Sequence, residues 1–232
     1  AIVTGCNTGL GQGMAIGLAE AGANIVGVYR SDVSETREQI ERMGKKFVGI
    51  KADLSSTSCI GEIVEKAVEA FGRIDILVNN AGIIRRADAI EFTEKDWDDV
   101  IAVNLKTPFF LSQAVAKQFI KQGTGGKIVN IASMLSFQGG IRTASYTASK
   151  HGIIGITRTL ANEWAKYNIN VNAIAPGYMV TNNTQAIRAD ETRYKEITDR
   201  IPAGRWGLPE DLKGAVVFLS SSASDYLNGH IL

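Results

Sequence analysis

A tyrosine and a lysine stand at i, i+4 spacing in the run Ser145-Tyr146-Thr147-Ala148-Ser149-Lys150, and Ser133 precedes them. On a helix this spacing puts the phenol and the ammonium on one face, where the cation would stabilise a phenolate and lower the tyrosine pKa from about 10. Tyr146 would then exchange protons near neutral pH, Lys150 would hold it in that state, and Ser133 would donate to the same oxygen. These residues predict acid–base chemistry at a carbonyl or alcohol oxygen.

A glycine-rich run, Gly-x-x-x-Gly-x-Gly, follows a short apolar segment at the start of the chain. Gly5, Gly9 and Gly11 would let the backbone turn tightly, bring amide groups close to a phosphate and let a helix approach the sheet. A glycine-rich turn alone is a weak signal, but its position between a strand and a helix favours binding of a dinucleotide pyrophosphate. The run therefore predicts the cofactor half of a redox site.

Short apolar runs alternate with longer amphipathic stretches along the whole chain. The predicted strands are Ala1–Thr4, Asn24–Tyr29, Lys46–Ala52, Ile74–Asn79, Lys127–Ala132 and Asn170–Ala175. They lack strict polar alternation, as is typical of strands buried on both faces of a parallel sheet, and helical periodicity between Ile60 and Phe71 ends at Gly72. The pattern predicts an α/β fold: a single doubly wound Rossmann domain over residues 1–232, with helices on both faces of a parallel sheet and ligands at the carboxyl ends of the strands.

The segment from Tyr178 to Arg205 departs from this alternation, because it is polar and charged and follows a strand. It is predicted to hold one helix before Pro202 and to form a mobile flap over the site. The chain begins inside the first predicted strand, and Asn228–Leu232 reads as the start of a further strand. Both native termini are therefore expected to be missing.

Composition narrows the class of ligand. The chain has 25 basic and 24 acidic side chains, so no strong field would attract nucleic acid or an anionic membrane, and a small-molecule substrate is expected. Cys6 and Cys59 show no metal-ligand spacing, so no metal site is predicted and a reduced cytoplasmic compartment is favoured. No apolar run reaches the roughly 18 residues that a membrane span needs.

Six motifs in order resemble the short-chain dehydrogenase/reductase family over essentially the whole chain. They are Thr4-Gly5-x-x-x-Gly9-Leu10-Gly11, Asn79-Asn80-Ala81-Gly82, Asn104, Ser133, Tyr146-x-x-x-Lys150 and Pro176-Gly177. The resemblance implies an oxidoreductase that interconverts a ketone and a secondary alcohol, with Asn104, Ser133, Tyr146 and Lys150 as catalytic residues. Asn104 would help seat a water that links Lys150 to solvent. The residues implied for cofactor binding are Gly5, Asn7, Thr8, Gly9, Leu10, Gly11, Asp53, Leu54, Asn80, Ala81, Gly82, Tyr146, Lys150, Pro176, Gly177 and Thr181.

The choice between NAD(H) and NADP(H) stays open. An acidic residue near the end of the second strand usually accepts from the ribose hydroxyls, whereas an arginine there meets a 2′-phosphate. Tyr29 occupies the strand end, so the expected carboxylate is displaced. Arg30 and Ser31 favour the phosphorylated cofactor, and Asp32 would still serve the other.

Three longer stretches, residues 79–88, 131–142 and 175–184, resemble a subgroup of bacterial sugar-acid dehydrogenases. Its members act on 2-dehydro-3-deoxy-D-gluconate or 2-deoxy-D-gluconate in uronate and pectin breakdown, so the resemblance implies a sugar-acid substrate. A carboxylate suits an arginine fork, and hydroxyls suit amide or hydroxyl partners. The residues predicted to contact the substrate are Ser133, Gln138, Arg86, Arg142, Asn182 and Asn183.

Two other functions stay open. A 3-oxoacyl carrier-protein reductase shares the whole set of catalytic residues, and Arg85 and Arg86 would begin a basic patch for an acidic carrier. A non-catalytic dinucleotide-sensing regulator would use the fold without turnover, although such proteins tend to lose the tyrosine and lysine. The family resemblance also implies that the helices Thr107–Gln122 and Ala148–Lys166 pair across a twofold axis, giving a homo-oligomer, usually a tetramer.

Overall fold

Six parallel strands form one sheet in the order β3-β2-β1-β4-β5-β6 in the computed structural model, which describes residues 1–232. The strands are β1 Ile2–Thr4, β2 Ile25–Tyr29, β3 Phe47–Lys51, β4 Ile76–Asn79, β5 Gly126–Ile131 and β6 Ile169–Ile174. Each overlaps its predicted run, and every pairing is parallel. The predicted doubly wound α/β fold is therefore confirmed.

The structure contains nine α-helices. They are α1 Gly9–Glu20, α2 Ser34–Arg42, α3 Ile60–Phe71, α4 Glu94–Ile101, α5 Thr107–Gln122, α6 Ala144–Trp164, α7 Gln185–Arg188, α8 Glu191–Thr198 and α9 Lys213–Ser220. Two separate cores show that helices pack on both faces: Ile2 lies in one core with α3 and α5 residues, and Val3 in the other with α1 and α9 residues. Successive strand side chains point to opposite faces, which is why neighbours on β1 enter different cores. No helix here has both the length and the apolar character that crossing a bilayer requires.

The order of the strands creates a crevice at one edge of the sheet. The chain runs outward from β1 through β2 to β3 and then crosses back, so that β4 lies on the other side of β1. Loops leaving β1 and β4 therefore diverge to opposite faces, and open α/β sheets bind ligands at such a reversal. The glycine run lies in the first of these loops.

Helices α4 and α5 lie between β4 and β5 in the chain, and α6 follows β5. Helix α5 has its predicted bounds, whereas α6 begins at Ala144 and ends at Trp164 rather than spanning Ala148–Lys166. Tyr146 and Lys150 consequently share α6, as the spacing predicted. A π-helical turn, Ala102–Lys106, joins α4 to α5. Such turns concentrate at functional sites, and this one carries Asn104.

The flap, residues 178–205, connects β6 to the segment before α9. Sequence predicted one helix before Pro202, but the flap holds the two helices α7 and α8. The division occurs because the Asp190 carboxylate accepts a hydrogen bond from the Arg193 amide at 3.0 Å and starts a new helix. Backbone hydrogen bonds from Val180 to Gly207 and from Gly207 to Tyr178 hold its two ends together. The mobility of the flap stays a prediction.

The last residues run beside β6. Ile231 pairs with Ala173 in parallel register, and the Ala175 amide donates to the Leu232 carbonyl at 2.8 Å. The predicted strand-like character of this segment is therefore confirmed.

Candidate active site

A cavity of about 470 Å³ occupies the crevice at the carboxyl ends of β1 and β4. Every residue predicted for cofactor binding lines it, from the glycine run to Thr181 at the base of the flap. Tyr29, Arg30 and Ser31 close one end, and Ser133, Tyr146 and Lys150 close the other. The structure thus brings together residues from all three thirds of the chain around one pocket.

The glycine run fits a dinucleotide pyrophosphate. Gly5 and Gly9 have φ values of 64° and 56°, which favour glycine. Thr8, at the N-cap of α1, makes no side-chain capping hydrogen bond, and no acidic residue stands in the first turn. The amide groups of that turn and the positive end of the helix dipole are therefore available to an anionic ligand in the cavity.

Thr4 holds the two walls of the crevice together, a role that the sequence analysis did not assign. Its buried hydroxyl accepts hydrogen bonds from the amides of Asn80 and Ala81, each at 3.0 Å. In return the Asn80 side chain donates to the carbonyl oxygens of Thr4 at 2.9 Å and Gly5 at 3.2 Å. The only sequence signal was a hydroxyl residue between an apolar run and a glycine.

Ser133 follows β5 and is held by a short capping turn. Its hydroxyl oxygen accepts a hydrogen bond from the Leu135 amide at 3.2 Å, and its own amide donates to the Ser136 hydroxyl oxygen at 3.2 Å. The Ser136 hydroxyl in turn donates to the Lys150 carbonyl at 2.7 Å. Accepting this hydrogen bond leaves the hydroxyl proton of Ser133 for donation toward the phenol oxygen of Tyr146 or a ligand oxygen beside it. Ser136 thus fixes Ser133 against α6, and the Ser-x-x-Ser spacing was the signal for it.

Tyr146 and Lys150 project from α6 toward the same end of the cavity. The Lys150 Nζ lies 5.6 Å from the centre of the Tyr146 ring. Lys150 is buried, and its ammonium donates to the Ile131 carbonyl at 2.5 Å. An acid, a cation and a hydroxyl donor therefore meet at the end of the pocket opposite Arg30.

The pKa of Tyr146 contradicts the expectation drawn from its spacing to Lys150. Burial raises the pKa of Tyr146, and a hydrogen bond from Ser133 and the positive charge of Arg86 offset this only in part. Burial also lowers the pKa of Lys150 to about 8. Desolvation penalises the charged form of both groups. The predicted depression of the tyrosine pKa is therefore wrong for the protein chain by itself.

Asn104 is buried, and its side chain joins the loop after β4 to α6. Its Oδ1 accepts from the Ile83 amide at 2.8 Å, and its Nδ2 donates to the Ile83 carbonyl at 2.9 Å and to the Ser149 hydroxyl at 3.2 Å. Both amide protons are therefore used within the protein. The water that Asn104 would help seat stays a prediction.

A second cavity of about 730 Å³ adjoins the first and lies under the flap. Ser133 and Tyr146 line both cavities, so their hydroxyl groups stand at the junction. Of the other predicted substrate contacts, Arg86, Gln138 and Asn183 line the second cavity. The junction is where a substrate oxygen would meet the acid and the cofactor pocket together.

Two predicted substrate residues lie elsewhere. Asn182 lines the cofactor cavity rather than the second one. Arg142 lines neither cavity, because it pairs with Asp88 at 3.3 Å and its side chain is 57% exposed. The flap residues Arg193 and Glu196 also line the second cavity and were not predicted from the sequence. The only indication of them in the sequence was the charged composition of the flap, which follows a strand.

The chain is similar to known dehydrogenases over its whole length. A family model for short chain dehydrogenases matches residues 1–192. The chain is similar to the 2-dehydro-3-deoxy-D-gluconate 5-dehydrogenases of Dickeya dadantii, at 68% identity, and Escherichia coli, at 66%; both comparisons cover 100% of this chain and 92% of the relative. A crystal structure from Agrobacterium tumefaciens, provisionally assigned as a 2-deoxy-D-gluconate 3-dehydrogenase with bound NADP, shares 56% identity and a TM-score of 0.94. That similarity covers 100% of this chain and 92% of the other.

Proposed function

The chain belongs to the short-chain dehydrogenase family, and from that premise we propose that it interconverts a ketone and a secondary alcohol at carbon 5 of 2-dehydro-3-deoxy-D-gluconate. The observation that carries this proposal is the identity of 66–68% over the whole chain to two relatives of that activity. The second cavity supports it, because an arginine and amide side chains line it beside Tyr146. Such groups suit a sugar acid.

The proposed chemistry divides the reaction between cofactor and protein. A bound nicotinamide dinucleotide supplies or accepts the hydride at the carbon. In reduction, Tyr146 gives its phenolic proton to the carbonyl oxygen, and Ser133 donates a hydrogen bond to the same oxygen as negative charge develops there. Lys150 stabilises the resulting phenolate and returns a proton to it, and the lysine then regains a proton from solvent. The raised pKa of Tyr146 keeps the phenol protonated and ready to act as the acid.

Substrate turnover tests the proposal. Initial rates would be measured for the sugar acid in the oxidative direction, and for its 5-keto counterpart and an acetoacetyl thioester in the reductive direction. We expect kcat/KM for the keto sugar acid to exceed that for the thioester by about 100-fold, because only the sugar acid presents a carboxylate and hydroxyls to the second cavity. Preference for the thioester would overturn the substrate and favour the carrier-protein reductase.

We further infer that NADP(H) is the preferred cofactor. Arg30 and Ser31 line the cofactor cavity, and the Asn7 side chain donates to the Ser31 hydroxyl at 2.8 Å. Asp32 does not line that cavity, because its carboxylate accepts from the Ser34 amide at 3.2 Å and the Ser34 hydroxyl at 2.5 Å. Arg30 therefore contributes a positive charge at this end of the cavity, which suits a 2′-phosphate.

Arg30→Ala is expected to raise KM for NADPH by about 10-fold or more and to change KM for NADH by less than about 2-fold. The variant loses a charge-assisted hydrogen bond to the 2′-phosphate, which NADPH carries and NADH lacks. Arg42→Ala provides the matched control, since Arg42 pairs with Glu38 on the surface of α2. Both constants would come from initial rates at saturating substrate. An equal effect on both cofactors would contradict the inference.

Reduction and oxidation are expected to respond to pH in opposite directions around pH 8. Lys150 has its pKa lowered to about 8, so it carries a proton below this pH and loses it as the pH rises. Reduction consumes a proton, so its kcat/KM falls as the pH rises through about 8, whereas oxidation must release a proton and its kcat/KM rises. The two profiles would be measured in one buffer series. The same direction of change in both would contradict this role.

We also propose that the chain acts as a single domain and a homo-oligomer. Helix α5 leaves Phe110 39% and Ile120 44% exposed, and pairing of α5 and α6 with a second copy would cover apolar surface of this kind. Light scattering would test the state of association.

A further inference from the structure

Three arginines, Arg86, Arg193 and Arg200, line the second cavity, and none of them is neutralised by a carboxylate. Arg86 lies in the loop after β4, and Arg193 lies on α8 of the flap. The neighbouring Arg85, in contrast, pairs with Asp96 at 3.3 Å and Asp99 at 3.6 Å. No acidic side chain lies within ion-pairing distance of Arg86 or Arg193, so their charges remain available to a ligand.

Of the two arginines on the flap side of the cavity, Arg193 is the one whose charge acts on Arg86. After burial, the positive charge of Arg193 is the next largest cause that lowers the pKa of Arg86. Two guanidinium groups at one cavity repel, and an anion between them would replace that repulsion by two attractions. The two acidic residues that line this cavity, Asp190 and Glu196, do not fill this role. The Asp190 carboxylate caps the helix, and Glu196 makes no ion pair although it lines the same cavity.

The flap is already joined to the Arg86 side of the cavity. The Arg86 Nη2 donates to the Asn183 carbonyl at 3.4 Å, at the start of the flap. Helix α8 is fixed through aromatic contacts, because the Tyr194 ring stacks on Trp206 with centroids 5.5 Å apart and the Trp206 indole donates to the Thr198 hydroxyl at 2.9 Å. Arg193 is therefore carried on an anchored helix that borders the cavity.

We propose that Arg86 and Arg193 together bind the substrate carboxylate, and that Arg193 is the residue of the flap that selects an acid over a neutral sugar. The inference rests on the proposed function. Carbons 1 and 5 of a six-carbon acid lie about 5 Å apart when extended, by ordinary bond lengths. Arg86 and Tyr146 line the same cavity, which suits a carboxylate at one end and a reacting carbon at the other. Glu196 is then available as an acceptor for hydroxyl groups.

The test compares Arg193→Met with Lys195→Met. Lys195 lies on the same helix, pairs with Asp199 at 2.6 Å and does not line the cavity. We expect Arg193→Met to raise KM for the sugar acid about 10-fold or more with kcat within about 2-fold, because a charge-assisted hydrogen bond to the carboxylate is lost. With the carboxamide of the same sugar acid as substrate, the KM of both variants should lie within about 2-fold of the KM of the unsubstituted protein.

An equal rise in KM for the carboxamide would overturn the proposal, since it would indicate a general disturbance of the flap. An unchanged KM for the acid would do the same. A double variant with Arg86→Met adds a further check, because loss of Arg193 should matter less when Arg86 is already absent.

Equilibrium binding separates this proposal from the proposed function. Calorimetric titration of the protein with D-gluconate and, separately, with the neutral glucitol would be done in the presence of the oxidised cofactor. Binding of gluconate that weakens about 10-fold in Arg193→Met, with no binding of glucitol, would support the two-arginine site even if turnover of the sugar acid failed. Gluconate binding that is independent of Arg193, or absent in the parent, would overturn it.

Discussion

Tyr146→Phe is expected to lower kcat for ketone reduction by about 10³-fold while leaving folding and dinucleotide binding intact, because general acid catalysis typically contributes 10²- to 10⁴-fold. Phenylalanine keeps the ring that packs beside Lys150 but has no proton to give. Removing the phenol leaves Ser133 as the only hydroxyl of the catalytic set at the junction of the two cavities. Single-turnover measurement of cofactor oxidation at saturating ketone would report the loss directly.

Tyr167→Phe is the matched control for this variant. Tyr167 lies just beyond the end of α6, is 40% exposed and lines neither cavity. Removing its hydroxyl should leave kcat within about 2-fold of the value for the unsubstituted protein, as is usual for surface substitutions. Dinucleotide binding, measured by fluorescence titration, should be similar in the parent and both variants. If Tyr146→Phe kept more than about a tenth of the parent kcat, Tyr146 would not be the proton donor.

Gly11→Ala is expected to weaken dinucleotide binding by about 100-fold or more and to destabilise the fold by about 1–3 kcal/mol, as overpacking of a close-packed site typically does. A Cβ at this position would lie 2.1 Å from the Gly5 carbonyl oxygen and 2.3 Å from the Asn80 side-chain nitrogen. Neither atom can retreat without breaking the hydrogen bonds by which Thr4 and Asn80 join the ends of β1 and β4. The first turn of α1 would then lose its position against the cofactor.

Gly214→Ala separates this effect from the general consequence of adding a methyl group. Gly214 lies on α9, and a Cβ there would meet nothing within 4 Å. Alanine is the better helix former by roughly 0.5–1 kcal/mol, so this control should be neutral or stabilising. Thermal unfolding and NADPH titration of both variants check the prediction. Cofactor binding by Gly11→Ala within about 3-fold of the parent would show that the loop adapts and that the contact is not decisive.

Much of the fold could be predicted from the sequence because its signals are local. A buried parallel strand is a short apolar run, and Gly72 was recognised as a helix end because it must adopt the left-handed conformation that it shows, with φ of 73°. The same holds for Tyr146 and Lys150, since a spacing of four residues places both side chains on the same face of a helix. The flap was the exception among the elements, because the carboxylate of Asp190 started a second helix inside a stretch without strong periodicity.

The polar contacts inside the protein could not be predicted in this way. Asn79 and Asn130 both appear as strand residues, but the Asn79 amide donates to the Asn130 side chain at 2.9 Å across 51 positions of sequence. Nothing in either local pattern identifies the other as its partner. Arg142 and Arg193 illustrate the same limit: both were charged residues near the site, and only packing turned one toward Asp88 and brought the other to the substrate cavity.

The sequence by itself therefore determined the six strands, the glycine run and the set of residues able to do chemistry, because each depends on residues close together in the chain. Tertiary structure alone decided which arginines border the cavity, how Thr4 and Ser136 hold the site, and that burial raises the pKa of Tyr146. Desolvation depends on everything packed around a group. Residues distant in sequence supply most of that packing, so no local pattern encodes it.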